Sequence, residues 1–180
     1  MRSAFSMFSL LFGVVEIVVT LAVVIFGVKK IIELMKKHQF FKYKKPLVIS
    51  FICIFIAALS FIFNIGWFRV MMFMTLIAII HPIIFVITNI YSSQFSKEYR
   101  GLKLTNFLFI ITYLIFWIMF PDGGDVGPGY FLFGLVRDDD LMAVAFVVSA
   151  LAGVAHIALF VAQIVQILLI KKNESREKEV

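Results

Sequence analysis

The sequence predicts an all-α fold: a polytopic integral membrane protein whose five transmembrane helices form one bundle, N-terminus out and C-terminus in. Three observations carry that prediction. The chain is 62% hydrophobic with a mean hydropathy of +1.03, whereas soluble domains run at about 45–50% apolar. The excess lies in long uninterrupted runs, each near the roughly 20 residues a bilayer crossing needs. Lysine and arginine gather at alternate ends of those runs, as they do where cytoplasmic loops retain basic residues.

The first predicted span is 5–28. It is longer than the apolar core of a secretory signal, about 7–15 residues, and its basic flank follows the run. No small-x-small cleavage site precedes the lysines, so the run reads as a retained helix. The block 29–45 follows, with Lys29, Lys30, Lys36, Lys37, Lys42, Lys44 and Lys45 against a single acid, Glu33. Such a block stays on the cytoplasmic side and meets anionic lipid headgroups. Its first part, to about Gln39, reads as an amphipathic surface helix. Val28, Ile31, Ile32 and Met35 fall on one side of it and the charges on the other.

Pro46 is expected to restart the chain at the first turn of span 2, 46–63, where a missing N–H does no harm. Asn64, Ile65 and Gly66 read as a tight turn into span 3, 67–91. The link 92–103 carries Lys97, Arg100 and Lys103. Span 4 covers 104–120, an extracytoplasmic loop 121–140, span 5 141–170, and a cytoplasmic tail 171–180. The whole of 1–180 reads as one transmembrane domain. With the lysine block inside, the outside segments hold only Arg2, Arg69 and Arg137 among the 17 basic residues. Trp67 and Trp117 then fall at outer helix ends, where interfacial aromatics belong.

The net charge of +6 does not imply nucleic-acid binding, because the basic residues hug membrane ends. The single Cys53 excludes an intrachain disulfide and a cysteine-based metal site. No Gly-x-Ser-x-Gly, His-Glu-x-x-His, phosphate loop or paired acidic motif occurs, so no catalytic residue is assigned and no enzyme, metal or cofactor is expected.

Membrane helices associate through small residues and a few hydrogen bonds, since lipid is as apolar as leucine. Stripes of such residues recur at steps of three and four. They are Ser6, Ser9, Gly13, Glu16, Thr20 and Gly27 in span 1, and Ser50, Cys53, Ala57, Ser60 and Asn64 in span 2. Span 3 carries Thr75, Ala78, His81 and Thr88, span 4 only Thr105 and Thr112, and span 5 Ser149, Gly153, His156 and Gln163. Gly13, Thr20 and the ribbon Ala145, Ser149, Gly153 are the expected packing interface, within the bundle or against a second copy.

Three ionisable side chains fall near the middle of their spans: Glu16, His81 and His156. A charge there costs at least about 2.5–3.5 kcal/mol. Side by side the three could share a proton or hold a small cation; apart, each would only hydrogen-bond a neighbouring helix. Pro82, after His81, is expected to kink span 3. In the loop, Asp122 and Asp125 are too few to bind calcium, and Asp138, Asp139 and Asp140 suit the positive end of span 5. The apolar piece 130–136 is expected to dip into the interface, cap the bundle or meet a partner.

The expected function is therefore that of a small non-enzymatic subunit, sensor or protective protein. It would bind other membrane proteins or its own copies, in what reads as a bacterial plasma membrane. The alternative is a proton or cation channel built on Glu16, His81 and His156.

Overall fold

The computed structural model describes residues 40–96, 99–122 and 129–177, together with the isolated helical positions 22, 25 and 29. Five helices follow in order: α1 Phe40–Phe63, α2 Trp67–Met74, α3 Ile77–Phe95, α4 Arg100–Met119 and α5 Asp139–Glu177. A small antiparallel hairpin, β1 Tyr130–Phe131 and β2 Val136–Arg137, sits between α4 and α5. Four of the helices, all but α2, are long and apolar enough to cross a membrane. Span 1 lies outside the described residues apart from Ala22 and Ile25.

The helices pack as a bundle in which α4 leans most extensively on α5, and α1 packs against α3 and α4. The centre is aromatic: Phe85, Phe109, Tyr113 and Trp117 are buried together with Cys53 and Ala57. Phe85 stacks on Tyr113 with ring centroids 3.9 Å apart. The α1 stripe Ser50, Cys53, Ala57, Ser60 and Asn64 is buried along its whole length. These small or polar side chains let the neighbouring helices come close while apolar residues such as Phe51, Phe55 and Ile62 point outward.

Four features differ from expectation. Pro46 lies inside α1 instead of opening it. The bond its ring removes falls at the lysine-rich end of the helix, where it is least costly. Span 3 is broken, but not at Pro82. α2 ends at Thr75, Leu76 takes a left-handed conformation (φ 59°), and α3 runs on from there through Pro82. The Leu76 N–H bonds the Phe73 carbonyl at 3.0 Å, and the Thr75 hydroxyl bonds the Met71 carbonyl at 2.9 Å. The end of α2 is thereby satisfied as a glycine-type helix stop would satisfy it, without a glycine. α5 continues to Glu177, past the expected end at 170.

The fourth difference is the hairpin. Tyr130 pairs with Arg137 and Phe131 with Val136. The connecting turn places Leu132, Phe133 and Gly134 at positive φ. Only Gly134 takes that conformation freely, and a Cβ there would stand 3.0 Å from the Phe63 carbonyl. The hairpin is tied down by Leu132 N–H to the Ile118 carbonyl (3.2 Å) and by the Tyr130 hydroxyl to the Ile65 carbonyl. These contacts hold the hairpin over the end of the bundle.

Candidate functional site

The polar residues of the bundle fall into three groups, stacked from the hairpin end to the opposite end. At the hairpin end lies a charged group centred on Arg69 and Asp122, both almost fully buried. Asp122 accepts the backbone N–H groups of Phe68 (3.2 Å) and Arg69 (2.7 Å). These are orphan donors of the first turn of α2, whose N-cap, Gly66, has no side chain to offer. Arg69 does the reverse at α4. Its Nη2 donates to the carbonyls of Trp117 (3.1 Å) and Phe120 (2.8 Å), acceptors left over at the end of that helix. The carboxylate thus sits at a positive helix end and the guanidinium at a negative one, the favourable arrangement for both.

Ser60 completes this group. Its hydroxyl donates to the Trp117 carbonyl at 2.7 Å and accepts from Asn64 (3.2 Å) and Arg69 (3.4 Å). Phe61 and Phe120 flank the guanidinium at 5.7 and 5.9 Å. Burial works against the charge of Arg69, and the negative charge of Asp122 offsets part of that. Arg69, expected on the outer side, is buried in the bundle end. Trp117, expected at the interface, is buried in the core.

In the middle, His81 of α3 and His156 of α5 meet edge to face, with ring centroids 5.0 Å apart. His156 stacks on Phe109 at 4.0 Å, and its Nδ1 lies 3.1 Å from the Phe109 carbonyl and 3.2 Å from the Thr112 hydroxyl. A carbonyl only accepts, so Nδ1 carries the proton in this contact. His81 is packed among Tyr113, Phe116 and Trp117, at centroid distances of 5.1 to 5.7 Å. Two of the three midplane candidates are therefore in contact. The third, Glu16, lies outside the described residues, and among those residues no three His, Cys, Asp or Glu side chains converge.

Towards the opposite end a chain of neutral groups joins four helices. Asn89 donates to Ser50 (2.7 Å) and to the Pro46 carbonyl (3.1 Å), and accepts from Asn106 (2.8 Å). Asn106 accepts from Gln163 (3.3 Å), and Gln163 accepts from Ser92 (3.0 Å). Asn89, Ser92 and Asn106 belong to none of the predicted stripes. The signal for Asn106 was present, a carboxamide inside an apolar run, but it stands beside Thr105 and off the three-four spacing.

The remaining sequence candidates fall as follows. Ala145 and Ser149 are buried, the Ser149 hydroxyl bonds the Phe116 carbonyl at 3.1 Å, and Gly153 lies against the Phe116 ring. That ribbon packs on α4 of the same chain. Gly13, Thr20, Lys30, Lys36 and Lys37 lie outside the described residues. Lys29, Lys44 and Lys45 are exposed, and Lys42 lies within α1. Asp138 caps α5, its Oδ1 accepting the N–H groups of Asp140 and Leu141 at 3.0 Å each. Lys171, at the far end of α5, sits over the rings of Tyr91 and Phe95.

Comparison of the chain with protein-family models, with curated proteins and with solved structures gives no match.

Proposed function

We propose that this chain is a non-enzymatic multi-pass membrane protein that acts through contacts, binding other membrane proteins or copies of itself as a subunit, sensor or protective component. The observation that carries this reading is how the polar groups of the bundle are used. Asn89, Asn106, Gln163, Ser60 and Ser149 bond neighbouring helices, and the histidine rings are wedged among aromatic ones. A conducting path through the bundle needs polar groups facing water. Two pockets among the described residues are walled chiefly by apolar side chains.

The outward face of α5 supports the same reading. Val144, Val147, Leu151, Val154, Val161, Val165 and Leu168 are exposed and recur at steps that fit a continuous seam for a second helix. The lysine bias supports an N-terminus outside, a C-terminus inside and a lysine block on anionic lipid, with span 1 as a fifth crossing, and the richness in Phe, Ile and Lys fits a bacterial plasma membrane. The test is cysteine cross-linking at Val154 in native membranes, followed by purification in a gentle detergent. A cross-linked dimer or a defined partner is the expected product; a lone monomer in repeated preparations counts against the proposal.

One observation favours a second reading. His81 and His156 are in contact, as a proton or cation path through Glu16, His81 and His156 requires. Reconstituted protein without flux, or unchanged flux in Glu16→Gln, removes it.

A further inference from the structure

A groove of about 520 Å³ runs between α3 and α5. α5 leans far less on α3 than on α4, and the two helices leave this space open. Ile84, Ile87 and Tyr91 wall it on α3, and Phe160, Ile164 and Ile167 on α5. Each set advances seven residues along its helix, a rise of about 10 Å. Ala22 borders the groove too, and so small a side chain does not fill it. Ile164 is exposed, so the groove opens sideways, onto hydrocarbon in a bundle whose helices cross the bilayer.

One end of the groove is polar and charged. Lys171 stands one turn beyond Ile167, on the same face of α5. Its ammonium donates to the Tyr91 hydroxyl at the exposed surface. It also lies 4.9 and 5.9 Å from the ring centres of Tyr91 and Phe95. A hydroxyl and two rings hold the cation in place without neutralising it. An ammonium has three donors and a tyrosine hydroxyl one, so two N–H groups and the O–H remain for another partner. Donors of this kind suit an anion, and charge-assisted bonds to phosphate are among the stronger ones. The rest of the groove suits alkyl chains. A cavity of about 150 Å³ holds benzene, and the space here is more than three times that.

We infer that this groove holds one anionic phospholipid, with its phosphate on Lys171 and Tyr91 and an acyl chain lying along Ile87 and Ile164. Charge at one end and apolar walls along the rest match the two halves of such a lipid. A zwitterionic lipid brings the same phosphate with a cation beside it, which Lys171 repels. A chain without a headgroup leaves the ammonium unanswered. Binding needs only that the chain lies in a membrane; it requires neither the orientation nor the assembly contacts proposed above.

The test is native mass spectrometry of the full chain released from detergent after incubation with phosphatidylglycerol and phosphatidylcholine of identical chains. One retained phosphatidylglycerol per chain is expected, favoured over phosphatidylcholine by at least about fivefold. Lys171→Gln should remove that preference and Lys171→Arg should keep it. Lys44→Gln, at an exposed position of α1, which packs against α3 and α4, should leave it unchanged. Ile87→Trp, in the groove wall, should lower retention of both lipids. Equal retention of the two lipids by the parent chain overturns the inference. So do equal losses in Lys171→Gln and Lys44→Gln, which mean diffuse attraction to lysines, and unchanged retention in a folded Ile87→Trp. If Ile87→Trp does not fold, the lipid comparison and the lysine variants still decide.

Discussion

At the hairpin end of the bundle the buried polar groups carry full charge, Arg69 and Asp122, and are held by backbone groups at the ends of two helices. At the opposite end they are neutral carboxamides and hydroxyls, Ser50, Asn89, Asn106, Gln163 and Ser92, that mostly bond one another. The difference is one of stakes. A neutral side-chain bond between membrane helices averages about 0.6 kcal/mol, because the separated helices also find partners. A buried charge stripped of its partner costs about 3–5 kcal/mol. The neutral chain is glue that tolerates loss, while the charged group stands or falls as a unit and fixes how the α2 break, the end of α4 and the hairpin come together.

Four substitutions test this contrast. Arg69→Met should have the largest effect, a loss of about 3–5 kcal/mol. Unfolding in mild detergent reads it, and loss of a monodisperse chromatographic peak accompanies it. Gly153→Val comes next. The Cβ would already stand 3.1 Å from the Phe116 ring, so the added methyls push α5 off α4, at a cost of about 1–3 kcal/mol in the same assay. Asn89→Leu removes the hub of the neutral chain. With three bonds at about 0.6 kcal/mol each, a loss of roughly 1–2 kcal/mol is expected; a loss as large as that of Arg69→Met would erase the contrast. His156→Phe should cost least, about 0.6 kcal/mol, since a phenyl ring keeps the stack on Phe109 and loses only the Nδ1 contacts shared between the Phe109 carbonyl and the Thr112 hydroxyl. A loss above about 2 kcal/mol would mean that the histidine pair carries more than packing.

The sequence made some of this legible and hid the rest for physical reasons. Apolar runs of bilayer length announce themselves, and four of those predicted are apolar helices in the structure. The stripe from Ser50 to Asn64 was visible because its three-four spacing runs along one helix and the residue after it, and each of its members is buried. Equal depth in their spans left contact of His81 with His156 as one of two readings, because the order of helices around a bundle leaves no mark in the sequence. Arg69 was hidden because an arginine at the end of an apolar run looks like a charge left in water. Its burial depends on Asp122, 53 residues away, and on carbonyls exposed only where α4 stops. The break at Leu76 was hidden because neither glycine nor proline marks it, while Pro82 drew attention to the wrong turn. Asn89 and Asn106 were hidden because a hydrogen bond across helices leaves no period in either one.

The most direct test of the charged unit is a double-mutant cycle on Arg69→Met and Asp122→Ala, followed by unfolding in one detergent. If each residue stabilises the buried charge of the other, the double variant loses less than the two single losses combined, with a coupling of about 1–3 kcal/mol. Strictly additive losses would contradict the account, leaving Arg69 and Asp122 as two separate helix-end contacts.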